Sequence, residues 1–190
     1  MSAIHSSPGS SGTGGTVLVT GGTGTIGRVV VERLVAAGRE VRVLSRSAPS
    51  QPLPGAEHVA GDLATGAGLD EAVAGVTTVV HCAGGASGDD EKARTLVAAL
   101  ERAGVRPHIV HISVVGVDEM PIESGVDRAL FGYFAAKLGA ERAIIESGLP
   151  WTMLRSTQTH ELTLETFRLL AKLPVAPVFA GVRLQPIAAA

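Results

Sequence analysis

The stretch Val17-Leu18-Val19-Thr20-Gly21-Gly22-Thr23-Gly24-Thr25-Ile26-Gly27-Arg28 decides the fold. Its first four residues are a short apolar run, as expected of a buried parallel strand. A glycine turn follows, and Arg28 to Leu34 then reads as helical. Strand, glycine turn and helix, in that order, are the context that a dinucleotide fingerprint requires. Gly22, Gly24 and Gly27 fit G-x-G-x-x-G, and Gly21, Gly24 and Gly27 fit G-x-x-G-x-x-G. Either pattern keeps side chains away from an approaching pyrophosphate, and the helix N-terminus supplies amide donors and a favourable dipole. Residues Gly21, Gly22, Thr23, Gly24, Thr25, Ile26 and Gly27 are therefore the first candidate binding residues.

Working outward, β-α units repeat. Strands are predicted over 40–45, 58–60, 77–82, 108–113 and 151–154, and helices over 69–74, 89–103, 131–147 and 161–172. Gly38, Gly104 and Gly148 each follow a helix, the usual stop signal. The pattern predicts an α/β Rossmann-type fold, a doubly wound parallel sheet with helices on both faces. The 190 residues suffice for one domain with a real core. Hydrophobic residues make up 45% and aromatics 3%, so aliphatic side chains must fill that core.

Composition also excludes several classes. A net charge of -2 argues against an electrostatic nucleic-acid binder. No apolar run is long enough to span a bilayer, so no membrane partner is expected. The first residues, MSAIHSSPGSSGTGG, lack the apolar centre of a signal peptide. Residues 1–15 are read as a flexible polar tail, and 16–190 as one nucleotide-binding domain. A single cysteine, Cys82, precludes an intramolecular disulfide and fits a cytoplasmic location. Cys82 reads as a small buried hydrophobe. His81, His108 and His111 show no trusted metal spacing, and no metal is expected. Charges such as Glu91-Lys92 and Glu141-Arg142 read as solvated helix faces.

Two further constellations carry chemistry. The strand over 40–45 ends in Ser45-Arg46-Ser47. An acid there would accept from the 2'-hydroxyl of NAD, whereas Arg46 suits a 2'-phosphate and points to NADP(H) in preference to NAD(H). Arg28 is a second phosphate candidate. Tyr133 and Lys137 stand four residues apart on a predicted helix and so share one face. A nearby ammonium favours phenolate and is expected to lower the pKa of Tyr133 toward the working range of an acid or base. Ser113 ends a strand on the ligand-binding edge of the sheet.

With these motifs in place, the chain resembles a short-chain dehydrogenase/reductase of the atypical or extended kind, close to the NmrA-like NAD(P)H-binding proteins. The matching stretches are TGGTGTIG, VRVLSRS, GDL, VVHCAGG, HISVVGVD, GYFAAKLGAERAIIESGLPWTMLRSTQTH and VRLQP, spread from residue 17 to 186. The resemblance implies a nicotinamide cofactor and a Ser113-Tyr133-Lys137 site. Ser113 would hydrogen-bond the substrate carbonyl, Tyr133 would exchange the proton, and Lys137 would hold the nicotinamide ribose. Asp62 and Leu63 would flank the adenine, and Cys82, Ala83 and Gly84 would line the cofactor's middle. Ser156, Thr157 and Gln158 would lie near the nicotinamide. His160 is the histidine best placed to meet substrate.

Cys82-Ala83-Gly84 replaces the Asn-Ala-Gly turn of typical members, and the sequence ends at Ala190, where relatives continue. Either the chain is truncated, or its substrate pocket is open or completed by a partner, a second copy in a homo-oligomer being one expectation. The leading expectation is an NADPH-dependent oxidoreductase passing hydride to a small carbonyl or quinone-like substrate. The alternatives are a non-catalytic NADP(H)-binding redox sensor and, with less support, a sugar-nucleotide epimerase or dehydratase.

Overall fold

The structure is a computed structural model that describes residues 3–6, 14–47, 53–85, 87–119, 125–172 and 185–189. Elements follow in the order β1 (Ala3–Ser6), β2 (Thr16–Thr20), α1 (Thr25–Ala36), β3 (Val41–Ser45), β4 (Ala56–Ala60), α2 (Leu69–Val73), β5 (Val76–His81), α3 (Asp89–Arg102), β6 (His108–Val114), α4 (Gly125–Glu146), β7 (Trp151–Ser156) and α5 (His160–Leu170). One sheet runs β1-β7-β6-β5-β2-β3-β4. Strands β2 to β7 are mutually parallel, and β1 pairs antiparallel with the outer edge of β7. This is the Rossmann order, with its topological switch between β2 and β5.

Strand β1 departs from the sequence reading, which put residues 3–6 in a flexible tail. Four residues are too few for an alternation pattern to show in the sequence. The outer edge of β7 presents unpaired backbone groups, and β1 satisfies them. The proline-rich stretch at 48–52 and residues 182–184 of the VRLQP motif lie outside the described residues.

Each face of the sheet has its own core. Leu18, Leu44, Val79, Ile109 and Met153 pack under helices α2, α3 and α4, with Leu69, Leu96, Leu100 and Ile144. Val17, Val19, Val41 and Val43 pack on the opposite face against Val31 of α1. Neighbouring residues of one strand thus reach different cores, as the two-residue period of a strand requires. All five residues of β2 are buried, and the three between its terminal threonines are apolar.

Four buried polar positions of the first face gather at its C-terminal rim. Thr20, His81, His111 and Ser113 continue the rows begun by Leu18, Val79 and Ile109, and each is at most 1% exposed. Strands β2, β5 and β6 align Thr20 with His81 and His81 with His111. A buried polar row therefore crosses three central strands just below their ends.

Candidate active site

A cleft of about 780 Å³ opens over that rim. Its first wall is the turn after β2. Gly21 takes a left-handed conformation with φ of +69°, and a Cβ there would come 2.8 Å from the Ala83 backbone. Only glycine lets the turns after β2 and β5 meet this closely. A Cβ on Gly27 would intrude on the Gly21 carbonyl, so the helix packs directly on the turn. Gly22 is buried against Val43 and Val31, whereas Gly24 has only the Gly21 carbonyl within reach, at 3.3 Å, and faces the cleft.

The first intrahelical bond of α1 runs from the Arg28 amide to the Gly24 carbonyl. The amides of Thr25, Ile26 and Gly27 are thereby left for an outside acceptor. Helix α1 has neither a side-chain cap nor an acid in its first turn. An uncapped helix end beside an open glycine cradle, at the switch point of the sheet, fits the pyrophosphate of a dinucleotide.

The far wall is made of side chains from β6, α4, β7 and the segment after it. Ser113, Tyr133, Lys137, Ser156, Thr157 and Gln158 all line the cleft, together with Cys82 and Gly84. The Ser113 hydroxyl is buried and has no hydrogen-bond partner among the described residues. Lys137 Nζ lies 5.7 Å from the centre of the Tyr133 ring. Phe134 meets that ring edge-on at 5.4 Å. The sequence reading missed Phe134, Gly85, Ile112, Glu161 and Gln185, which also line the cleft. No local pattern distinguishes them from ordinary apolar and surface positions.

A more consequential omission is Asp89. This first residue of α3 is 1% exposed, and its Oδ2 lies 2.9 Å from Lys137 Nζ. Its Oδ1 lies 3.1 Å from Lys92 Nζ, and the Gly85 amide donates to Oδ2 at 3.3 Å. Helix α3 can approach α4 because α4 carries Gly139, where a Cβ would come 2.6 Å from Asp90 Cβ.

The expected acidification of Tyr133 is corrected by this pair. Burial, and then the charge of Asp89, raise the tyrosine above its ordinary value. Lys137 is close to the phenol, but its charge is balanced by the carboxylate. Burial also pushes the Cys82 thiol up to about 12, which leaves it a poor nucleophile.

Below the cleft, His81 and His111 stack with ring centres 5.1 Å apart. The Thr20 hydroxyl bonds His81 Nδ1 at 2.7 Å. Burial, followed by the nearby Lys137 charge, lowers His81 to about 3. Burial and the neighbouring His81 lower His111 well below the ordinary value. Both rings are therefore neutral. Among the described residues no group of three or more His, Cys, Asp and Glu is arranged to hold a metal ion.

Other candidates lie away from the cleft. Arg46 is exposed at the end of β3, and Thr23 is exposed in the turn. Beside Arg46, Ser45 Oγ donates to the Ser47 carbonyl at 2.6 Å and meets His58 Nε2 at 2.5 Å. Asp62 accepts from the Ala64 amide at 2.9 Å, and Leu63 belongs to the core. The Leu63 side chain thus packs inward. His160 is exposed at the start of α5 and is not among the lining residues. Glu141, read from the sequence as a solvated charge, is 2% exposed. It accepts two hydrogen bonds from Arg155, at 3.0 and 2.7 Å, and so ties α4 to β7. Lys92 likewise is committed to Asp89.

Comparison with known proteins agrees with this geometry. Residues 21–171 match a family described as NAD(P)H-binding. A (4-alkanoyl-5-oxo-2,5-dihydrofuran-3-yl)methyl phosphate reductase of Streptomyces griseus is 36% identical over 141 residues, covering 73% of this chain and 46% of that protein. A dTDP-6-deoxy-L-talose 4-dehydrogenase (NAD(P)(+)) of Kitasatospora kifunensis is 34% identical over 168 residues, covering 77% and 50%. An NADPH-dependent quinone oxidoreductase from Escherichia coli, solved in complex with NADPH, shares the fold with a TM-score of 0.67. Its sequence is 23% identical, over 82% of this chain and 54% of that one. The chain spans about half the length of these relatives, a reductase, a dehydrogenase and an oxidoreductase. On the glycine cradle, the sheet order and the family match together, the chain belongs to the NAD(P)H-binding family.

Proposed function

We propose that the protein is an NADPH-dependent oxidoreductase that reduces a small carbonyl or quinone-like substrate at a Ser113-Tyr133-Lys137 site. The observation that carries this reading is the convergence of those three side chains and the glycine turn on one cleft. Gly21, Gly24, Thr25, Ile26 and Gly27 would hold the pyrophosphate, and Arg46 a 2'-phosphate. When bound, the reduced nicotinamide supplies hydride to the substrate carbon. The Ser113 hydroxyl, which has no hydrogen-bond partner among the described residues, donates a hydrogen bond to the substrate oxygen. The Tyr133 hydroxyl delivers the proton to the same oxygen, and its raised value keeps that proton in place until it is needed. Lys137 would donate to a ribose hydroxyl of the bound cofactor and would hold the phenol in line.

The test is NADPH consumption by the parent protein and Tyr133→Phe against quinones, aldehydes and ketones. Turnover by the parent and its loss in the variant support the reading. Full activity in the variant removes Tyr133 from the mechanism. A second reading, oxidation or reduction of a deoxysugar nucleotide, is favoured by the 34% identical Kitasatospora relative. Including dTDP-sugars in the panel separates the two. Absence of turnover, together with cofactor-dependent capture of a partner protein, would instead favour a redox sensor.

A further inference from the structure

Asp89 is an unusual first residue for a helix. Acids in a first turn are common because the dipole favours them, and they ordinarily keep their carboxylates in water. Here Glu91 follows that habit and Asp90 is half-buried beside Arg94, while Asp89 turns inward and is 1% exposed. Two ammonium groups and one amide surround it, which offsets the cost of desolvating a carboxylate. The Lys137 side chain is only 9% exposed. Its Nζ reaches Asp89 across Gly84, where a Cβ would come 2.6 Å from the nitrogen.

We propose that Asp89 is a positioning residue of this site: it draws the Lys137 ammonium to the floor of the cleft and cancels its charge, so that Tyr133 rests as a protonated acid. The inference builds on the Ser113-Tyr133-Lys137 reading. An uncompensated ammonium beside a phenol would promote ionisation, whereas a close ion pair exerts little net field at the phenol. The other groups around the phenol leave this role to the pair. Lys92 on α3 is already shared with Asp89. His81 on β5 and His111 on β6 are neutral. The Cys82 thiol, pushed up to about 12, is neutral as well. Glu161 on α5 lines the same cleft and adds negative charge. The acidity of Tyr133 therefore depends on whether Lys137 is held by Asp89 or released from it. A ligand that takes a hydrogen bond from Lys137 would loosen the pair and make the phenol more acidic.

Tyr133 is the only tyrosine of the chain, so the ultraviolet absorbance of phenolate reports on this residue alone. The experiment is a spectroscopic pH titration without substrate or cofactor, with Tyr133→Phe as the blank and circular dichroism as the check on folding. In the unmodified protein the phenol is expected to ionise above the ordinary value of about 10. Asp89→Asn keeps the shape and removes the charge, and should ionise lower than the parent by about one pH unit or more. Lys137→Met should move the titration upward. Should Asp89→Asn fail to fold, the parent and Lys137→Met titrations decide the matter. The proposal is overturned by a parent phenol that ionises at or below the ordinary value, by a folded Asp89→Asn that titrates with the parent, or by a Lys137→Met that does not rise. A purely structural Asp89 would alter stability and leave the phenol titration in place. Failure of the site reading is seen separately, as full turnover by Tyr133→Phe, and does not alter the titration.

Discussion

The two walls of the cleft are built from different material. The wall after β2 is backbone: a left-handed Gly21, an open Gly24 and a Gly27 pressed against the turn, all within seven residues. The opposite wall is side chain: Ser113 from β6 and Tyr133 and Lys137 from α4, with Asp89 of α3 paired to Lys137 behind it. The first wall offers donors and space, and the second offers protons and charge. Binding should therefore depend on the first wall and chemistry on the second.

The largest expected effect tests the side-chain wall. Tyr133→Phe should lower turnover by ~10²–10⁴ while NADPH binding stays nearly unchanged. Steady-state kinetics with a cofactor titration measures both. A variant that binds weakly but turns over at the parental rate would break the division between the walls.

The backbone wall is sharpened by two glycine variants. Gly24→Val meets little protein, since Gly24 is extended and only the Gly21 carbonyl lies near. It should cost less than about 1 kcal/mol of stability and still weaken NADPH binding by about a hundredfold or more. Gly27→Val has no room, because its Cβ would intrude on the Gly21 carbonyl. It should destabilise the fold by about 3–5 kcal/mol. Urea unfolding and cofactor fluorescence distinguish the two, and equal stability losses would show that the turn has been misread.

Arg46 lies beyond both walls, at the end of β3. Arg46→Ala should weaken NADPH binding by about ten- to a hundredfold and leave NADH binding alone, since one charge-assisted contact is worth ~1.5–3 kcal/mol. Equal losses for the two cofactors would remove the 2'-phosphate from the argument.

A last effect concerns the floor that joins the walls. His81 is lowered from an ordinary 6.5 to about 3, and His111 is lowered too. Between those values the unfolded chain binds protons that the folded protein refuses. Stability is therefore complete above pH 6.5 and falls as the pH drops toward 3, by about 1.4 kcal/mol per pH unit for each histidine. Urea midpoints at pH 7 and pH 5 measure the slope. His81→Asn should halve it, and an unchanged slope would show that these rings are not the source.

The contrast between the walls also explains what was legible. The glycine turn is local: positive φ, close approach and helix start are written in adjacent residues, and both binding and fold could be read from them. The strand and helix alternation is likewise local, and Gly38, Gly104 and Gly148 each mark a helix end in the left-handed conformation. Tyr133 and Lys137 were legible because one helical turn separates them. Asp89 was not, since an acid opening a helix looks the same in sequence whether it faces water or a lysine. Glu141 was misjudged for the same reason, as nothing near it in sequence announces Arg155.

By itself, then, the sequence determined the alternation of strands and helices, the aliphatic core and the glycine cradle, because hydrophobic period and backbone permissiveness act over a few residues. Only the tertiary structure decided which charges are buried and with whom. Lys137 meets Asp89 because Gly139 lets α3 and α4 close together and Gly84 leaves room for the ammonium. Those approaches join residues 89 and 137, and 141 and 155, through packing that no sequence window contains. The sign of the shift at Tyr133 follows from that packing: a lysine alone would have lowered it, and burial together with the paired carboxylate raises it.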